Sequence, residues 1–178
     1  MGWWEQQSSG WDEPAGRRMW GRGRAWMAHL PVKEASMHTY PHAPFQKGGQ
    51  IARTFSKEHS ALDIVPRNDD DGQVFAVEGG TVTDVEASMS RGGDHANVVI
   101  VQGADTLLTL YVHVAPSVLP NAWVDSGDKL GDVDRSGESS GNHVHLQRLD
   151  AGTGTVQDAI DGQDAGLFLQ IKSLKPWS

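Results

Sequence analysis

The sequence contains no cysteine. Disulfide bonds and thiolate metal ligands are therefore excluded, and any metal ion must be bound through histidine, aspartate or glutamate. An exported protein can lack cysteine, so this absence leaves the cellular compartment open.

Basic residues are the minority among the charged ones: 15 Lys and Arg against 23 Asp and Glu, a net charge of −8. This balance argues against a nucleic-acid-binding protein and against electrostatic attachment to an anionic membrane, because both need a basic surface. No apolar run is long enough to span a bilayer, and the first ten residues, MGWWEQQSSG, lack the basic-then-apolar pattern of a signal peptide. We expect a soluble chain that binds no nucleic acid, does not insert into a membrane and shows no targeting signal.

The 178 residues suit one domain with a short appendage. Composition changes near residue 50. Before it, no period typical of a strand or a helix runs through the chain, and five of the seven tryptophans fall there among Gly and Arg: Trp3, Trp4, Trp11, Trp20 and Trp26. We predict that residues 1–49 form an irregular, partly ordered N-terminal arm and that residues 50–178 form a single domain.

From Gln50 onward, short runs of apolar and β-branched residues alternate with turn residues. Asn97–Gln102 and Leu107–Val114, joined by Gly103-Ala104-Asp105, predict a β-hairpin. Further strands are predicted at Gln73–Val77, Thr81–Val85, Lys129–Val133 and His143–Leu149, and the C-terminal LFLQIKSL fits a final strand or a turn of helix. The middle of the chain lacks helical periodicity, so we predict an all-β, mainly antiparallel domain of twisted sheets.

Five residues suited to metal chemistry fall in three short stretches. His59 and Asp63 are four positions apart and so lie on the same side of a strand or of a helical turn. His143 and His145 are two positions apart, which places both imidazoles on one face of a strand. His113 ends the return strand of the predicted hairpin. A carboxylate with imidazoles and no thiolate is typical of a zinc site, and a catalytic one leaves a position open beside three protein ligands.

The order H-x3-D, Y-x-H, H-x-H resembles the lysostaphin/LytM family of peptidoglycan metallopeptidases. The intervening segments agree with that family's first run, hairpin and ending: DIVPRNDDDGQVFAVEGGTVTDVE, NVVIVQGADTLLTLYVHV and VDSGDKLGDVDRSGESSGNHVHLQ. The resemblance covers roughly Phe55 to Arg148. Two departures stand out, since Ala61 replaces the usual Gly and Leu146 replaces the commoner Phe.

The resemblance implies an all-β fold of the duplicated hybrid-motif type with an open groove. It implies that His59, Asp63 and His145 bind one zinc ion per chain, and that His113 and His143 form a catalytic pair beside the open position. Which of the pair is the general base stays open.

The implied activity is endopeptidase hydrolysis of an amide in the stem peptide or cross-bridge of peptidoglycan, carried out by a monomer at the bacterial cell wall. Because no signal peptide is visible, delivery as a phage lysin or virion-associated enzyme fits as well as a bacterial hydrolase.

Two alternatives accompany this interpretation. The first is an inactive, zinc-binding relative that serves as a regulator or interaction module; such proteins typically lose a ligand or a catalytic histidine, and all five positions are present here. The second is a hybrid-motif phosphotransfer domain, suggested by G-x-V-x-x-V followed by V-x-x-G-D-x-L. Phosphotransfer has no need of an aspartate four residues after His59 or of the paired His143 and His145, which favours the peptidase.

Overall fold

The structure, a computed structural model, describes residues 38–56, 58–67, 71–86, 96–137, 139–150 and 166–178. All of them lie within one compact unit, Lys33–Ser178. Residues 1–37, which include every tryptophan of the predicted arm, lie outside the described residues. The domain boundary after residue 49 therefore stays a prediction.

The described residues form thirteen strands and no helix, which confirms the all-β prediction. In chain order the strands are β1 (His38–Tyr40), β2 (Gly49–Arg53), β3 (Leu62–Pro66), β4 (Gln73–Phe75), β5 (Gly80–Glu86), β6 (Val98–Gly103), β7 (Leu108–Val112), β8 (Val114–Pro116), β9 (Trp123–Val124), β10 (Lys129–Val133), β11 (Val144–Leu149), β12 (Gly166–Leu167) and β13 (Leu169–Ile171). Among the described residues no helix has the length and apolar character that crossing a bilayer requires.

The strands form three sheets. The largest has eight strands in the order β2-β3-β11-β7-β6-β5-β9, with β12 also pairing with β11. A second sheet has the order β4-β10-β8, and a third consists of β1 and β13. The pairings in the two larger sheets are antiparallel, whereas β1 and β13 run parallel. The predicted antiparallel character is confirmed.

The central strands β6 and β7 of the eight-stranded sheet are buried on both faces. Along β6, Val99 and Val101 belong to the main core, to which strands of all three sheets contribute, while Val98 and Ile100 belong to a second apolar cluster. Successive side chains of a strand point to opposite faces, so the two clusters cover opposite faces of the sheet. Burial on both faces explains why this strand reads as an unbroken apolar run instead of an alternation.

The predicted hairpin is confirmed as β6 and β7, which pair in antiparallel register. Its turn is closed by the Gly103 amide, which donates to the Leu107 carbonyl at 3.0 Å, and Thr106 adopts a left-handed φ of 68°. The prediction of one continuous return strand through Val114 is wrong. His113 has a φ of 65°, which ends β7 and redirects β8 into the three-stranded sheet.

Arg148 of β11 is fully buried and forms hydrogen bonds with side chains outside its own strand. Its guanidinium donates to the Tyr40 hydroxyl at 2.9 Å, to the Asp105 carboxylate at 2.6 Å, and also to Thr109 and Glu78. A buried guanidinium costs free energy unless it is paired, and these two carboxylates supply the compensating charge. Burial alone would raise the pKa of Asp105, but the charge of Arg148 and the hydrogen bonds that it and the Leu107 amide donate hold it below its usual value.

Candidate metal centre

The candidate site lies on the face of the large sheet that is turned away from the main core. Asp63 of β3 pairs in register with His145 of β11, which pairs in turn with Val112 at the end of β7. Cross-strand neighbours share a face, and Val112 belongs to the second apolar cluster. The polar pair therefore borders that cluster.

The structure brings together His59, Asp63 and His145, the three residues that the family resemblance implies as ligands. One ligand atom from each lies within 4.8 Å of the other two. The Asp63 Oδ1 atom is 3.1 Å from His59 Nε2 and 2.9 Å from His145 Nδ1. The Asp63 carboxylate thus stands between the two imidazoles, and the side chains of His59 and Asp63 are largely shielded from solvent.

The hydrogen bonds of His59 indicate that this set fits a cation. Its Nδ1 atom faces the carbonyl of Thr54 at 3.2 Å, and a carbonyl only accepts, so Nδ1 carries the proton. In the neutral imidazole Nε2 then holds a lone pair, which points at the Asp63 carboxylate. Two acceptors facing each other repel unless a proton or a metal ion lies between them. Two imidazole nitrogens and one carboxylate oxygen are suitable donors for zinc.

Electrostatics favour the ionised form of Asp63 that a metal ligand requires. Burial alone would raise its pKa, but the hydrogen bond from His145 and the charges of His145, His59 and His143 outweigh burial and lower the pKa below its usual value. The carboxylate is therefore ready to bind a cation without first losing a proton.

The two remaining histidines lie beside this set. The ring centroids of His113 and His143 are 4.7 Å apart, and that of His113 is 6.3 Å from that of His145. His143 Nε2 is 3.9 Å from Asp63 Oδ1, while its Nδ1 is 3.0 Å from the Gly141 carbonyl. His143 precedes β11 directly, so the i, i+2 spacing places it near His145 as the sequence predicted.

His113 is held by its backbone and by its ring. The left-handed φ of 65° is uncommon for a residue with a side chain, although histidine adopts it more often than most. Its Nδ1 donates to the Ser136 carbonyl at 2.7 Å. Burial lowers the pKa of His113, and this carbonyl only partly offsets the effect. The neutral ring, with a free lone pair on Nε2, is therefore favoured.

Sequence reasoning missed the backbone carbonyls of Thr54, Ser136 and Gly141, each of which faces Nδ1 of one histidine and so orients three of the four imidazole rings. The two departures from the family pattern are accommodated. Ala61 is fully buried and is not among the residues with positive φ, and Leu146 is fully buried in the main core.

A carboxylate and two imidazoles that converge on one point, flanked by a second imidazole pair, define a metal-dependent hydrolase type of site. The sequence comparison agrees with this class. Residues 57–159 match the family model for Peptidase family M23, and the chain belongs to that family.

Solved structures share the fold. A zinc-containing peptidase from Vibrio cholerae is 20% identical, with a TM-score of 0.52, and the match covers 64% of this chain and 37% of that chain. Lysostaphin in solution is 16% identical, also with a TM-score of 0.52, over 78% of this chain and 62% of that chain. The chain thus spans less than two thirds of either protein's length, 37% of the Vibrio protein and 62% of lysostaphin. No curated protein gives a match.

Proposed function

We propose that this chain is a zinc-dependent endopeptidase that hydrolyses amide bonds in the stem peptide or cross-bridge of bacterial peptidoglycan. The observation that carries the proposal is the convergence of His59, Asp63 and His145 beside a second histidine pair, in a chain of Peptidase family M23. The enzyme would act at the bacterial cell wall as a monomer, with the catalytic domain in residues 50–178.

His59, Asp63 and His145 are proposed to bind one zinc ion. Two neutral imidazoles and one carboxylate leave a divalent site with a net charge near +1. A bound zinc ion would supply Lewis acidity for the scissile carbonyl and for the attacking water. The structurally similar Vibrio cholerae protein is described as zinc-containing, which supports the choice of metal.

His113 and His143 are proposed to move protons beside that ion. In both rings Nδ1 faces a backbone carbonyl, so Nε2 is the nitrogen left free for chemistry. A neutral ring can take the proton of the attacking water and pass it to the leaving amine. A protonated ring can donate to the oxygen on which negative charge develops. The pair supplies both functions from rings 4.7 Å apart.

The substrate class follows from the family and from the kind of proteins that share the fold. Lysostaphin is described as an antimicrobial peptidase, and its solution structure matches 78% of this chain. Stem peptides and cross-bridges are thin and extended, and they carry small or D-configured residues that an open groove admits. Three loops are expected to set which bond is cut: Glu86–Ala96, Ala115–Ser126 and Asp134–Asn142. Within them, residues 87–95 and residue 138 lie outside the described residues.

The test is cleavage of peptidoglycan from Gram-negative and Gram-positive cells, followed by the release of new amino termini. Chelator should stop the release, zinc should restore it, and His113→Ala should reduce it by about 100-fold or more. His38→Ala is the matched control, because this histidine lies in β1 beside Asp105 and away from the site.

Two results would contradict the proposal in different ways. Cleavage of neither wall by a chain that binds one zinc ion would favour the inactive module. A chain that binds no zinc would overturn the assignment of His59, Asp63 and His145.

A further inference from the structure

The segment after β10 holds His113 in place from two directions. The Ser136 carbonyl accepts the proton of His113 Nδ1, with 2.7 Å between nitrogen and oxygen. The Asp134 amide donates to the carbonyl oxygen of His113 itself at 2.9 Å. One three-residue stretch thus contacts both the ring and the backbone of this histidine.

The side chain of Asp134 determines the shape of that stretch. Its Oδ1 atom accepts from the Ser136 amide at 2.9 Å and from the Ser136 hydroxyl at 2.7 Å. An aspartate that accepts from a residue two positions on forms a tight local turn. This turn aims the Ser136 carbonyl at the His113 ring.

Asn97 closes the arrangement from a third segment. Its amide donates to the Ser136 hydroxyl at 2.7 Å, its Nδ2 donates to Asp134 Oδ2 at 2.5 Å, and its carbonyl accepts from the His113 amide at 2.9 Å. Ser136 is buried, and Asn97 Oδ1 is buried without a partner among the described residues. The network therefore connects three segments that are distant in sequence around one candidate catalytic ring.

We propose that Asp134 is a positioning residue for His113: through the Ser136 carbonyl it fixes the ring in the Nδ1–H tautomer and directs Nε2 towards the candidate metal set. This role rests on the proposed function, because it matters for turnover only if His113 transfers protons. The need for such a support is physical. His113 has a left-handed φ, so its backbone alone does not favour the orientation, and a small misplacement of a catalytic group strongly reduces the rate.

A carboxylate is required at position 134 because both of its oxygens accept. One oxygen receives two donors from Ser136, and the other receives Asn97 Nδ2. In Asn97→Asp a carboxylate oxygen would face Asp134 Oδ2, and two acceptors cannot pair however the group rotates. Adding Asp134→Asn supplies a donor and restores the pair, so the double variant is a built-in rescue.

The first measurement is the split between kcat and KM on two soluble probes, a cross-linked muropeptide dimer and pentaglycine. Asp134→Ala and Asn97→Asp are expected to lower kcat by about 10- to 100-fold and to change KM by less than about threefold. The Asn97→Asp/Asp134→Asn variant should recover most of the loss. The control is Asp132→Ala, which removes a surface carboxylate that pairs with Lys129. Its kcat should stay within about twofold of the parent value.

The second measurement is independent of turnover. Long-range ¹H–¹⁵N spectra of the zinc-loaded protein report which imidazole nitrogen of His113 carries the proton. The parent protein and the double variant should show Nδ1–H, while Asp134→Ala should show a second tautomer or an averaged ring. Zinc content should be one per chain in each, because Asp134 is not a proposed ligand.

The possible outcomes distinguish a failure of the proposed peptidase function from a failure of the positioning role of Asp134. If the parent cuts neither probe but Asp134→Ala changes the His113 tautomer, the function is wrong and the positioning role holds. If kcat and tautomer are both unchanged in Asp134→Ala and Asn97→Asp, the positioning role is wrong. If Asp134→Ala does not fold, Asn97→Asp and its rescue decide, and a double variant as impaired as the single one overturns the proposal.

Discussion

Because His113 has a left-handed backbone conformation, we expect glycine and alanine at this position to rank in stability opposite to their order in an ordinary strand. In an ordinary strand, replacing a residue by glycine destabilises a protein more than replacing it by alanine, because glycine loses more conformational entropy on folding. At a φ of 65° we expect the reverse, so His113→Gly should be more stable than His113→Ala.

The magnitude follows from two opposing terms. A residue with a Cβ atom costs about 1–2 kcal/mol in the left-handed region, and glycine does not carry this cost. Glycine in turn gives the unfolded chain more freedom, which favours alanine by about 0.4–1 kcal/mol. Both variants lose the same hydrogen bond to the Ser136 carbonyl, so that loss cancels in the comparison. The midpoints of the two ranges, about 1.5 and about 0.7 kcal/mol, leave a difference in unfolding free energy of about 0.8 kcal/mol in favour of glycine.

The assay is urea unfolding of both variants without metal, with equal m-values as the check that the unfolded states are comparable. His38→Gly and His38→Ala form the control pair, since His38 lies in β1 and is not among the residues with positive φ. There alanine should be the more stable. An alanine variant at position 113 equal to or more stable than the glycine variant would refute the strain argument.

Three further predictions concern charge and metal. Arg148→Met should lower the unfolding free energy by about 3–5 kcal/mol, because it leaves the partly buried Glu78 carboxylate without its cationic partner. Adding Glu78→Gln should recover part of this loss, as measured by denaturant titration. The pKa of Asp105 is lower in the folded protein than in the unfolded chain. Its stabilising contribution is therefore present above the unfolded pKa and is lost as the pH falls through the folded pKa. The difference in urea midpoint between the parent and Asp105→Asn should be larger at pH 7 than at pH 3. Chelation should lower the calorimetric Tm of the parent but not that of Asp63→Asn, because a metal ion that binds only the folded state stabilises it. Equal shifts in the two proteins would contradict the assignment of Asp63 as a ligand.

Strands with a strong local signal were predictable from the sequence. Lys129–Val133 agrees at both ends, and the β6–β7 hairpin agrees within a residue or two apart from the break at His113. Strand β3 was not predicted, although it carries Asp63. Its sequence LDIVP is short, contains a carboxylate and ends in proline, so only pairing with β11, some eighty residues later in the chain, makes it a strand.

The side chains of the site were predictable, but their supports were not. The family resemblance selected His59, Asp63 and His145 as ligands, and the structure brings their ligand atoms within 4.8 Å of one another. The carbonyl of Ser136 has no signature in the sequence, since every residue has a carbonyl. Asp134 reads as one acid among 23, and its role depends on the left-handed turn at His113 and on Asn97, both distant in the chain.

The pairing of β3 with β11 would also make the proposed activity depend on the completion of folding. Asp63 and His145 are 82 residues apart in the chain, and they meet only when these two strands join. During synthesis, a chain that has not yet emerged past residue 145 offers at most two of the three proposed ligands. With this set, zinc binding and hydrolysis would arise together in the step that closes the sheet, and an unfinished chain could not cut the peptides around it.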